Sequence, residues 1–157
     1  MRKLAILAVL AASSVVAFAQ GAPVKMGLWE KKMTMDMGTG TPRNINSKSC
    51  ITPETWQEMV GNMDKKQEGC TVDKQKNAHG YTFTATCNRS TGGTMVTTGS
   101  ANIQDSEHIV SQSHTTMTTN GQKREMQSKS TSTYLGASCG KVKPDEPEIE
   151  EIGRAHV

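Results

Sequence analysis

Three sets of side chains in this sequence are of types that do chemistry: alternating methionines, two histidines at even spacing, and four cysteines. Met33-Thr34-Met35-Asp36-Met37 sets three thioethers at i, i+2 and i+4. On a strand that spacing presents them on one side, and thioethers are soft ligands suited to Cu(I). The same three side chains can simply pack beneath Trp29, because methionine fills irregular cores where Leu and Phe are scarce. His108 and His114 share one face of a strand, but six residues of strand separate them by about 20 Å, too far to hold one ion. His79 falls in a turn and His156 near the C-terminal end, so each histidine is expected at the surface.

The cysteines lack a Cys-x-x-Cys pair and are read as structural rather than redox-active. Gly-x-Ser-x-Gly, His-Glu-x-x-His and carboxylates paired in an apolar setting are also absent. The expectation is therefore a non-enzymatic protein without a cofactor. Asn88-Arg89-Ser90 matches a glycosylation acceptor and is read as a loop.

The elements that position these groups are strands. Cys70 to Cys87, CTVDKQKNAHGYTFTATC, reads as a hairpin closed at its open end by a disulfide. Centring it between Ala78 and His79 sets Cys70 opposite Cys87, Val72 opposite Ala85, Lys74 opposite Phe83 and Lys76 opposite Tyr81. Directly opposed residues share a face and bring their Cβ atoms within disulfide reach. A two-residue turn of the type favoured in hairpins needs positive φ at Ala78 and His79, so a four-residue loop from Asn77 to Gly80, with Gly80 left-handed, is expected. Four cysteines allow three connectivities. With Cys70–Cys87 assigned by geometry, Cys50–Cys139 follows by elimination.

Gly27 to Met37 reads as the first strand, with Trp29, Met33, Met35 and Met37 facing inward and Glu30 and Asp36 outward. A second short strand spans about Asn44 to Cys50. One helix follows: Thr52 caps it, Pro53 suits its first position, and Trp56, Met59, Val60 and Met63 recur at helical spacing. Thr94 to Ile103 is a strand in which Gly99 marks a bend. Asn120-Gly121 signals a second hairpin that pairs Met117 with Arg124, Thr115 with Met126 and Ile109 with Ser132. Its arms are long and rich in Thr, as a curved sheet or barrel wall requires. The fold expected is mainly β: an antiparallel up-and-down curved sheet or small barrel of about seven strands, with one helix between strands two and three.

The chain opens with Met1-Arg2-Lys3, an apolar run from Leu4 to Phe18 and a small-residue motif ending at Ala19. That is the plan of a secretory signal peptide over residues 1–19, cleaved after Ala19, and it is too short to span a membrane. Residues 20–140 are then one disulfide-bonded domain, exported to the periplasm, where oxidising conditions favour the bridges. Removing Arg2 and Lys3 takes the 18 basic residues to 16 against 15 acidic, a net charge of +1, which gives nucleic acid no electrostatic footprint. Residues 141–157 form an acidic tail with Pro144 and Pro147, expected to be disordered. Within it, Glu151 to Val157 (EIGRAHV) resembles the translation of a sequencing-adapter read-through and is suspected to be non-native.

Gly27-Leu28-Trp29-Glu30, Cys50-Ile51-Thr52-Pro53-Glu54, Cys70-Thr71-Val72, Cys87 and Leu135-Gly136-Ala137-Ser138-Cys139 occur in this order. Together they resemble a family of small exported bacterial proteins known as a domain of unknown function. The resemblance covers Gly27 to Cys139 and implies a periplasmic, disulfide-bonded module with no assigned activity or functional residues. Gly27-Leu28-Trp29 is also similar to the Gly-x-Trp of the first lipocalin strand, a three-residue analogy that carries no function.

Two roles follow as expectations. In the first, the protein binds a small apolar ligand or an envelope partner on a concave face lined by Trp29, Met33, Met35, Tyr81 and Phe83, with Trp56 of the helix nearby. In the second it binds copper through Met33, Met35 and Met37. Protein recovered from the periplasm is expected to begin at Gln20 and to weigh the chain mass less the hydrogens of two disulfides. Intact-mass measurement before and after reduction checks both, and a product retaining residues 1–19 would refute the cleavage site.

Overall fold

The computed structural model describes residues 23–38, 40–63, 65, 68–88 and 92–152. The proposed signal peptide lies outside them. Eight strands and one helix succeed one another as β1 (Gly27–Asp36), β2 (Arg43–Ile51), α1 (Pro53–Met63), β3 (Cys70–Asn77), β4 (Gly80–Asn88), β5 (Thr94–Asp105), β6 (His108–Thr119), β7 (Gln122–Gly136) and β8 (Glu148–Ile152). They form one antiparallel sheet in the order β3-β4-β5-β6-β7-β1-β2-β8. β3 and β8 are its edges and do not pair, so the sheet is open and the barrel alternative is not realised.

Both hairpin registers match those read from the sequence. Cys70 faces Cys87 and Lys76 faces Tyr81, and Met117 faces Arg124, Thr115 faces Met126 and Ile109 faces Ser132. Asn120 and Gly121 both take positive φ, 52° and 76°, the twist that a two-residue hairpin turn needs. The turn between β3 and β4 departs from expectation. Asn77 pairs with Gly80, leaving only Ala78 and His79 between the strands, and neither these nor Gly80 has positive φ. The Asn77 side-chain oxygen accepts the His79 N–H at 2.8 Å and builds the reversal instead. Gly80 serves a different purpose, since a Cβ there would stand 2.0 Å from the Ala101 carbonyl oxygen.

α1 starts as its sequence dictates. Thr52 Oγ1 accepts the Thr55 N–H (3.2 Å) and Thr55 Oγ1 accepts the Thr52 N–H (2.8 Å), a reciprocal cap with threonine in the place usually held by glutamate. The tail, expected to be disordered, differs: β8 pairs along β2 with Glu148 opposite Lys48. An open edge offers unpaired backbone donors and acceptors, and an acidic strand meets a lysine there, so pairing outweighs the lack of an apolar face. Glu151 and Ile152 of β8 belong to the stretch suspected to be non-native.

The core is thin. Among the described residues the buried apolar side chains are Val24, Trp29, Cys50, Cys87 and Val142, and Trp29, 1% exposed, is the one large side chain fully enclosed. Its indole N–H donates to the Lys25 carbonyl at 2.9 Å, and its ring meets Tyr134 edge-on at 5.8 Å. Covalent closure supplements this core. Cys50–Cys139 ties the end of β2 to the segment after β7, and Cys70–Cys87 closes the β3–β4 hairpin. Their sequence separations of 89 and 17 correspond to roughly 4.6 and 3 kcal/mol of loop entropy. Replacing Cys50 and Cys139 with Ala should therefore lower the urea unfolding free energy by up to about 4 kcal/mol, and by more than replacing Cys70 and Cys87. A larger loss from the hairpin pair would show that loop entropy is not the dominant contribution.

Candidate functional site

Alternation assigns one face of the sheet to Trp29, Lys31, Met33 and Met35 of β1, and the pairings extend that face across the other strands. Lys31 stands between Ser47 of β2 and Ser132 of β7; Ile109 of β6 stands between Ser132 and Ile103 of β5; Ala101 of β5 faces Tyr81 of β4. The middle of this face is built from small hydroxyl side chains. Ser111 and Ser130 lie 2.6 Å apart, Ser113 and Ser128 2.8 Å, and Thr97 and Thr115 2.9 Å, each pair bonded across two strands. Paired this way, the hydroxyls are satisfied while contributing little bulk.

Bulk returns towards one end of the face. A cavity of about 840 Å³ opens there, with apolar walls from Trp29, Trp56, Met59, Val60, Tyr81 and Ile103. Its walls come from both halves of the sheet and from α1, which contributes Trp56, Met59 and Val60. The polar part of the lining includes Lys31, Lys76 and the serines between them. The volume and the mixture of apolar walls with a few polar groups fall in the range of small-molecule sites.

Of the residues expected on the binding face, Trp29, Trp56 and Tyr81 meet in this cavity. Phe83 does not line it. Its ring packs over Gly99, where an added Cβ would come within 2.6 Å of it, and it stands 6.1 Å from Tyr81. Gly99 thus leaves room for an aromatic ring rather than marking a bend alone. Met33 lines a separate groove with Ile45 and Ser130, and Met35 lies one pair further along β1, opposite Ser128. Met37, just beyond β1, is 47% exposed. Lys31, Met59, Val60, Ile103 and Ile109 line the cavity although the sequence reading did not select them. Ile103 and Ile109 are cross-strand partners through a register shift between Ile103 and Asp105, which no turn signal in the sequence marks.

Charges around the cavity are mostly engaged. Asp105 accepts the Glu107 N–H at 2.7 Å and meets His108 Nδ1 at 2.9 Å. The backbone donor first, and the imidazole second, hold its carboxyl below the usual carboxylate range. Glu107 pairs in turn with Lys25, whose pKa that carboxylate raises. Lys74 stands over the Tyr81 ring at 5.8 Å. His114 lies 3.6 Å from Glu125 on the opposite face, and His108 and His114 are not brought together.

An open antiparallel sheet with two disulfides, one helix and a cavity lined by both defines a disulfide-bonded, mainly β protein. Residues 24–139 match the family described as "Protein of unknown function (DUF3617)", and the chain belongs to that family. No curated protein matches it. Among solved structures it is similar to an S-type phycobiliprotein lyase from Guillardia theta, at 9% identity over 71% of this chain and 89% of that one, with a TM-score of 0.39. At that level the likeness bears on no residue of the site.

Because the folded Asp105 carboxyl is depressed, its stabilising contribution is present above the ordinary Asp value of about 3.9 and is lost as pH falls through the lower folded value. Asp105→Asn keeps an acceptor for Glu107 but not the charge. The stability gap between wild type and this variant should be open at pH 7 and narrow below about pH 4. Urea midpoints at the two pH values check this, and a gap that widens in acid would refute it.

Proposed function

We propose that this protein is a non-enzymatic periplasmic module that binds a small, largely apolar molecule on the concave side of its sheet. The observation that carries the reading is the cavity itself: about 840 Å³, walled by Trp29, Trp56 and Tyr81 and covered by α1. A sheet with so few large side chains cannot fill its own concave side, and an apolar ligand supplies the missing contacts. Lys31, among serines, gives the ligand's polar or anionic end a place to sit. Export is supported by the N-terminal pattern and by the two disulfides, which persist in an oxidising compartment. Among the described residues no helix is long and apolar enough to cross a membrane.

Native mass spectrometry of protein recovered from the periplasm is expected to show a bound small molecule. In vitro, 1-anilinonaphthalene-8-sulfonate should bind at one site, with Trp56→Ala weakening it about tenfold through lost aromatic burial. Lys31→Gln should weaken this anionic probe but leave a neutral apolar dye unaffected. A clean apo mass together with dye binding indifferent to both substitutions would overturn the ligand reading and leave the concave face as a surface for an envelope partner.

A further inference from the structure

The sheet assembles a second row of side chains that lies away from the cavity. Met95 of β5 is the direct cross-strand partner of Met117 of β6. Thr115 faces Met126 and Met117 faces Arg124, so Met117 and Met126 are diagonal neighbours on the same face. Met35 of β1 faces Ser128, which makes it diagonal to Met126 in turn. Residues far apart in the chain thus form one continuous line of thioethers across β5, β6, β7 and β1.

Burial indicates that these side chains lean together. Thr115 sits inside the row, opposite both Thr97 and Met126, and is only 3% exposed although α1 covers the other end of the face. On an open sheet, a small residue is enclosed to that degree when larger neighbours fold across it, and its larger neighbours on this face are Met95, Met117, Met126 and Arg124. Direct partners have Cβ atoms about 5 Å apart and diagonal ones about 7 to 8 Å. Each sulfur sits two bonds beyond its Cβ on a flexible stem, so Met117, at the centre, can share an ion with Met95 on one side or with Met126 on the other. Met117 also borders an open groove of about 440 Å³ beside Arg124, which gives access from solvent.

We propose that Met95, Met117 and Met126 form a binding site for a soft monovalent cation of the Cu(I) type, held between Met117 and a flanking methionine, with Met35 adjoining Met126. The donors are neutral and soft, which favours Cu(I) over harder ions. Cys87, directly opposite Met95, is held in its disulfide, so the sulfur donors at this place are thioethers and not thiolates. Arg124 faces Met117 and Arg43 faces Met35. These positive charges penalise a divalent ion twice as strongly as a monovalent one. The site differs from a Met33, Met35, Met37 strand site, because its three principal donors come from three other strands.

Ag(I), a redox-inert stand-in for Cu(I), tests the proposal on the intact disulfide-bonded protein carrying 13C-methyl methionine. Titration should saturate at one ion per chain and move the Met95, Met117 and Met126 methyl signals most. Combined Met95→Leu, Met117→Leu and Met126→Leu conserves volume and should abolish binding at concentrations that saturate the wild type, while Met33→Leu with Met37→Leu should not. Non-saturating binding would overturn the proposal. So would shifts confined to Met33 and Met37 in the unmodified protein, an observation that depends on no variant folding.

Discussion

Burial of Trp29 is the interaction on which the rest of the architecture depends. β1 must insert between β2, its near neighbour in sequence, and β7, which arrives from the far end of the domain. Joining distant segments carries a loop-closure cost before any contact offsets it. The gains are concentrated at one end of β1. Trp29 is enclosed there, bonded to the Lys25 carbonyl and packed on Tyr134. Gly27 lets the two backbones approach, since a Cβ there would stand 2.2 Å from the Gly136 carbonyl oxygen. The Cys50–Cys139 bridge then clamps the same end.

That concentration explains the emptiness elsewhere. With its largest side chain committed to the β1–β7 junction, the concave face is finished in serine and threonine, whose cross-strand hydroxyl pairs each contribute about 1 kcal/mol net. Small residues let the sheet curl without collision and leave volume that no side chain occupies. α1 covers part of the opening but does not fill it. The cavity is therefore a consequence of how the apolar residues are distributed, and its chemistry follows from the few that remain: Trp56, Met59 and Val60 on the helix, Tyr81, Ile103 and Ile109 on the strands, and Lys31 and Lys76 beside the serines.

Much of the local structure was legible in the sequence because local rules decide it. Facing cysteines set the register of β3 with β4, and Asn120-Gly121 set that of β6 with β7. Pro53 and the Thr52 cap placed the helix. The turn at Ala78-His79 was misread because the Asn77 side chain supplies a bond that a φ argument ignores. Alternation puts Phe83 on the same face as Tyr81, but the space over Gly99 draws its ring away from the cavity. β8 was missed because strand pairing there answers the needs of the β2 edge rather than any pattern of its own.

The sequence by itself determined strands β1 to β7, the faces of their side chains, the hairpin registers and the Cys70–Cys87 bridge. Each of these is governed by neighbours in the chain: a period of two, a turn, or a pair of cysteines brought opposite by that turn. Only the tertiary structure decided that β1 lies between β7 and β2, that the sheet stays open, that helix and strands together line one cavity, and that Met95, Met117 and Met126 stand in a row. Alternation tells which face a residue occupies but not which strand lies beside it. That choice rests on long-range contacts, and with them on the enclosure of a single tryptophan.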